Sequence, residues 1–201
     1  MPDPSSMSFY FNWWKERIDE MDAALASFER QFERLHLDPK SQAQTALGKM
    51  REARDAFRDT MTKQTKAGEA DWTRAKGSLE SEWKDFEAQA GKYVGELGKQ
   101  VEQYQATFRA CAEAQMKAWQ ESAERLRDAA KVFSADQRSA FETMANQMKA
   151  DAGAAHAKLA NLGAGGSQSW AALTAALAET RALFDRANRT AQEAFEHATR
   201  H

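Results

Sequence analysis

The sequence predicts an all-α protein: an elongated antiparallel helical bundle or coiled coil built on one long central helix. Three observations predict it. The only prolines are Pro2, Pro4 and Pro39, so beyond residue 39 no residue removes an amide and clashes with a preceding helical turn. Ala, Glu, Gln, Lys, Arg and Met dominate, while Val and Ile are scarce, which favours helix and leaves little material for strands. Apolar residues also recur at helical spacing along most of the 201 residues. The organisation read from this is a flexible N-terminus at 1–8 and a single elongated helical domain at 9–201. Its helices are expected at about 9–36, 41–132, 135–161 and 169–199.

The first helix rests on Phe11, Trp14, Ile18, Met21, Leu25, Phe28, Phe32 and Leu35, spaced alternately by three and four. That is an a/d heptad seam, which wraps left-handed around a partner helix. Asp38-Pro39 ends it, because a residue before proline is pushed out of the α region, and Ser41 offers an N-cap for the next helix.

From Ser41 to Val132 the period lengthens. Met61, Trp72, Trp83 and Val94 recur every eleven residues. Phe86, Leu97, Phe108 and Trp119 form a second such row, and Leu79, Ala90, Val101 and Ala112 a third. Interleaved hendecad rows describe one stripe on a nearly straight helix, about 135 Å long for roughly 90 residues. Its weak point is Gly91, Gly95 and Gly98, each lowering helix propensity by about 1 kcal/mol. The expectation is a continuous helix bent there, with a hairpin turn at 91–98 as the alternative.

Ser134-Ala-Asp-Gln137 reads as a capping box that restarts the chain as a helix striped by Phe141, Met144, Met148, Ala155, Leu159 and Leu162. Asn161 to Gly166 reads as a loop, with Gly163 suited to a left-handed C′ position. Ser167 or Ser169 then caps a last, alanine-rich helix with Trp170, Leu173, Leu177, Phe184 and Phe195 inward. Three short helices laid along one of roughly 90 residues would cover it about one deep. A bundle needs more, so the remaining stripe is expected to meet another subunit, a lipid or a hydrophobic granule.

Lys and Arg number 28 against 30 Asp and Glu, a formal net charge of -2. There is no domain-wide basic excess to displace counterions, so a nucleic-acid partner is not expected. The lone Cys111 has no intramolecular disulfide partner, no segment reads as a secretory signal, and no apolar run approaches the length of a membrane span. A cytoplasmic location is expected.

Catalytic, cofactor and metal sites are not expected. Glu33-x-x-His36 matches half of the carboxylate–histidine pattern of di-metal bundles, but that pattern needs a second copy, and His36 suits a helix C-terminus electrostatically. Cys111 has no histidine near it in sequence and reads as an inert helix residue. Phosphate-loop, nucleophile-elbow and zincin motifs are absent. The candidate interaction surface is aromatic: Phe9, Tyr10, Phe11, Trp13, Trp14, Trp72, Trp83 and Trp119. Such rings suit a partner's groove or a lipid interface, or else they plug the end of the helical assembly.

The stretch from Phe108 to Ala198, with its Ala/Glu/Gln-rich turns and spaced aromatics at 112–133 and 169–195, is similar to phasins, the amphipathic proteins that coat bacterial polyester granules. The segment from Trp72 to Trp83, with Lys76 and Gly77 within it, resembles the repeat of small CsbD-like stress-response proteins. The hendecad rows also look like apolipoprotein-type helices. These resemblances imply reversible coating or scaffolding. The expected function is therefore a non-enzymatic, self-associating helical scaffold or adaptor, its partner a second copy or another helical protein. The alternative is a phasin-like binder of a polyester granule, lipid or membrane surface, linked to stress.

Overall fold

The computed structural model describes residues 7–67, 72–97, 101–165 and 168–200. These form six helices: α1 (Met7–Arg34), α2 (Gln42–Ala67), α3 (Trp72–Leu97), α4 (Val101–Ala129), α5 (Ala135–Ala164) and α6 (Trp170–Thr199). A single 3₁₀ turn, Ala130–Val132, follows α4, and there is no strand among the described residues. The flexible segment expected at 1–8 falls mostly outside them, and α1 already begins at Met7.

The continuous helix expected over 41–132 is corrected: that stretch is α2, α3 and α4. Thr60 donates a hydrogen bond to Glu82 at 3.0 Å, although 22 residues separate them. In one helix they would stand about 33 Å apart. The chain therefore reverses direction between α2 and α3. The residues of the eleven-residue rows fall on α2, α3 and α4, where Trp72, Leu79, Trp83, Phe86, Ala90, Val94, Phe108, Ala112 and Trp119 are buried. A helix that turns back on itself keeps its apolar period, so the pattern alone does not reveal the break. Gly91 and Gly95 lie inside α3, which runs on to Leu97; Gly98 lies outside the described residues.

Cross-helix pairs give the directions. Arg51 with Glu29 and Arg54 with Asp22 run α2 against α1. Ser27 with Thr107 and Arg125 with Asn12 run α4 antiparallel to α1. Lys149 with Glu124 and Lys158 with Glu179 do the same for α5 on α4 and α6 on α5. The result is an up-and-down bundle with α1 in its middle.

Local chemistry sets the ends. Ser41 Oγ accepts from the Gln44 amide at 3.3 Å, and Ser169 Oγ from the Ala172 amide at 3.2 Å, so both act as N-caps. At the end of α1, His36 rather than glycine takes the left-handed conformation, with φ 48°. Helix α5 starts after Ser134 as expected, but Ser134 bonds the Gln137 side chain (3.0 Å) and not a backbone amide. The loop expected from Asn161 begins later. Gly163 is instead buried within α5, beside the Phe108 ring and the Arg109 side chain of α4, at a spacing where a Cβ would make ordinary contact.

Two apolar clusters result. The larger joins α1, α2, α3 and the first half of α4, and draws in Leu173 and Leu177 of α6. The second gathers Phe9, Trp119, Leu126, Phe141, Phe184 and Phe195 at the other end of α4, α5 and α6. The seam of α1 feeds the first: Trp14, Ile18, Met21, Leu25 and Phe28 are buried, while Phe32 and Leu35 are half-buried and Phe11 is exposed.

Candidate functional site

Helix α1 is buried on a second face as well. Asn12, Glu16, Glu20, Ala24, Ser27 and Gln31 follow one another by three or four residues, and all are buried. Polar groups out of water must find partners or cost stability. Here α4 and α6 supply them. The hydroxyls of Ser27 and Thr107 lie 2.9 Å apart, and Gln31 Nε2 donates to Thr107 at 3.2 Å. Gln115 Nε2 donates to Glu20 (2.9 Å) and to the carbonyl of Leu177 (3.2 Å). Asn188 Nδ2 donates to the carbonyl of Phe9 at 2.9 Å.

At the centre of this row the partners are charged. Arg181 donates to Glu20 at 3.0 Å and to Glu87 of α3 at 3.0 Å, with its guanidinium 4.7 Å from the Trp83 ring centre. One turn away, Arg17 forks onto Asp185 (2.8 and 3.0 Å), reaches Glu16 (2.6 Å) and lies 4.5 Å from the Trp13 ring centre. Four carboxylates thus share two guanidinium groups. Burial, reinforced by the Glu20 charge and only partly offset by Arg17, pushes the Glu16 carboxyl up to about 8. Its second oxygen has no hydrogen-bond partner. Burial works against the Arg181 charge, yet Glu20 and Glu87 outweigh it and hold that guanidinium above its ordinary range. Burial also raises the Cys111 thiol well above its usual value, so it stays protonated 3.9 Å from the carbonyl of Glu20.

This network sits on the floor of a groove. The backbones of α3 and α6 stay apart over α1, and Arg181 bridges them. Two depressions follow the gap and meet at Trp83. One, of about 290 Å³, is lined by Tyr10, Trp13 and Trp72 with Lys76, Lys84 and Arg189. The other, of about 460 Å³, is lined by Phe86, Ala90, Trp170, Ala171, Ala175 and Ala178 and ends on Glu20 and Arg181. From Trp170 to Gln192 along α6 the groove runs about 33 Å.

The candidate aromatics divide among three places. Tyr10 stacks on Trp72 at 4.0 Å, and Trp13 and Trp14 meet the same ring edge-on at 6.0 and 5.7 Å. With Trp83 these line or underlie the groove. Phe9 packs on Phe195 (5.8 Å) and Trp119 on Phe184 (5.4 Å), both in the second cluster. Phe11 stays outside, with the Arg125 guanidinium 4.4 Å from its ring centre. The surplus apolar stripe expected of one long helix is absent. Among the described residues, the large apolar side chains left exposed are Phe11 (39%), Val132 (72%) and Leu183 (40%).

Sequence reasoning missed Glu20, Glu87, Gln115 and Arg181. A signal existed for the α1 members, a polar row at heptad-like spacing opposite the apolar seam. Glu33 and His36 are exposed at the end of α1, and no group of three or more His, Cys, Asp or Glu is placed to hold a metal among the described residues. No described helix is long and apolar enough to cross a membrane. No family model matches the chain, and no curated protein or solved structure is significantly similar to it.

Proposed function

We propose that the protein is a non-enzymatic, cytoplasmic helical adaptor that seats a helix of another polypeptide in the groove between α3 and α6, a second copy of this chain being the first partner to test. The observation that carries the reading is the groove itself, a gap between α3 and α6 about as long as a twenty-residue helix. Its walls suit that occupant. Ala171, Ala175 and Ala178 on one side and Ala90 and Gly91 on the other let a backbone approach closely, and Trp83 and Trp170 offer rigid apolar anchors. In the first depression Lys76 is paired with Glu80 and Arg17 with Asp185, which leaves Lys84 and Arg189 to favour acidic residues at one end of the incoming helix.

Light scattering coupled to size-exclusion chromatography at micromolar concentration tests this. The expected result is an oligomer that Ala175→Arg and Ala178→Arg each return to monomer. A wild-type monomer at every concentration removes the second copy as partner. Coating of a lipid or polyester surface remains the other reading, and it requires the bundle to open, since the closed form keeps its large aromatics inside. Flotation of the intact chain with phosphatidylcholine vesicles at low salt, independent of the two groove substitutions, would favour that reading over the adaptor.

A further inference from the structure

A second concave site lies where the C-terminal half of α1 meets the first turns of α4. It encloses about 640 Å³ and is lined by Ser27, Arg30, Gln31, Arg34, Gln105 and Arg109 among others, none of which lines the α3–α6 groove. Arg30 and Arg34 stand one turn apart on α1, and Arg109 lines the same concavity from α4.

The arginines of this site differ from those that brace the contacts between helices. Arg17, Arg51, Arg54, Arg58, Arg125 and Arg181 each hold a carboxylate. Arg30, Arg34 and Arg109 hold none among the described residues, and no described Asp or Glu lines the pocket. Glu29, next to Arg30 in sequence, is turned to Arg51 at 2.7 Å. Three like charges around one concavity repel one another; all three side chains are exposed, so water and salt screen part of this and a bound counter-charge would remove more. Arg34 gains something as the last residue of α1, where a cation meets the negative end of the helix dipole. Arg109 gains nothing of the kind, because it lies in the third turn of α4, nearer the positive end.

The floor offers donors too. Gln105 is 7% exposed and its Nε2 has no acceptor, a buried polar group left unsatisfied beside the three guanidinium groups. Among the described residues the lining holds no aromatic ring to stack on a base and no large apolar side chain to take an acyl chain. All three cations are arginine, whose planar fork matches the oxygens of a phosphate in pairs.

We propose that Arg30, Arg34 and Arg109, with Gln105 beneath them, form a binding site for a compact, multiply charged phosphate group, either a soluble phosphate ester or a phosphorylated lipid headgroup. The site is independent of the groove and of the adaptor reading. Isothermal titration of the whole chain with sodium pyrophosphate, at constant ionic strength, tests it. The wild type binds, and Arg34→Gln and Arg109→Gln each weaken binding at least tenfold. Arg109→Lys, which keeps the charge and loses the fork, weakens it as well, while Arg51→Gln on α2 leaves it unchanged. Circular dichroism of each variant separates loss of binding from loss of fold. Flotation with phosphatidylcholine vesicles, with and without phosphatidic acid, assigns the source. Flotation that needs both the acid lipid and Arg109 marks a headgroup, and titration without flotation marks a soluble ester. Absence of both, or binding indifferent to Arg34 and Arg109, overturns the proposal.

Discussion

Glu16 is held in water-free surroundings by a fold that gives only one of its oxygens a partner, and its effect on stability follows from that. Its unfolded carboxyl titrates near 4.5 and the folded one near 8, because burial outweighs the attraction of Arg17, with Glu20, Asp185 and Arg181 the other charges around it. The folded form keeps the proton longer, so its contribution is fully present below about pH 4.5 and is lost as pH rises through 8. Glu16→Gln is therefore expected to raise the melting temperature most near pH 8.5, with the gain shrinking toward pH 5; thermal scans across that range check it. Arg181 is the opposite case. Arg181→Ala leaves Glu20 buried without its cation and should cost about 3–5 kcal/mol in a urea titration. Glu20→Gln combined with Arg181→Met should cost less than Arg181→Ala alone, because no charge is then stranded on α1. In the apolar core Phe28 is fully enclosed against Tyr93, whose hydroxyl donates to the Phe28 carbonyl at 2.8 Å. Phe28→Ala should destabilise by about 3–5 kcal/mol by the same measurement.

At the level of elements, the hairpin of α2 and α3 makes a claim that a chemist can test directly. Cysteines at positions 60 and 82 should be joined by a short bismaleimide, and one unbroken helix would hold them far outside its reach. Cys111 is buried and should not compete. Much of the helical content was legible in the sequence: the seam of α1, the caps at Ser41 and Ser169, and the restart after Ser134 all depend on local chemistry. Chain reversal was not legible. Turns without proline leave little trace when apolar periodicity continues through them, as it does from Met61 to Trp119. The buried polar row of α1 was hidden for a different reason. Glu16, Glu20 and Gln31 read as a solvated face until α4 and α6 supply their partners, and those partners are remote in sequence. Arg181 reaches Glu20 across 161 residues. Gly163 misled because glycine suits a helix stop locally, while here α5 runs on through it and packs it beside Phe108.

For the whole molecule, six helices of 26–30 residues laid side by side give a body about 45 Å long, a third of the rod that the hendecad rows suggested. Small-angle scattering of the monomer should give a radius of gyration near 17–20 Å, against roughly 40 Å for the rod. The central place of α1 bears also on the order of assembly. The α2–α3 pair is local in sequence and can form early, whereas α1 meets its buried-row partners only on α4 and α6, up to 179 residues away. Pairings that distant are slow, because the chain must close long loops before any contact repays the cost. The helix nearest the start of the chain is thus among the last to be locked. Until α6 docks, Glu20 lacks Arg181, so the last helix of the chain completes the burial of the first.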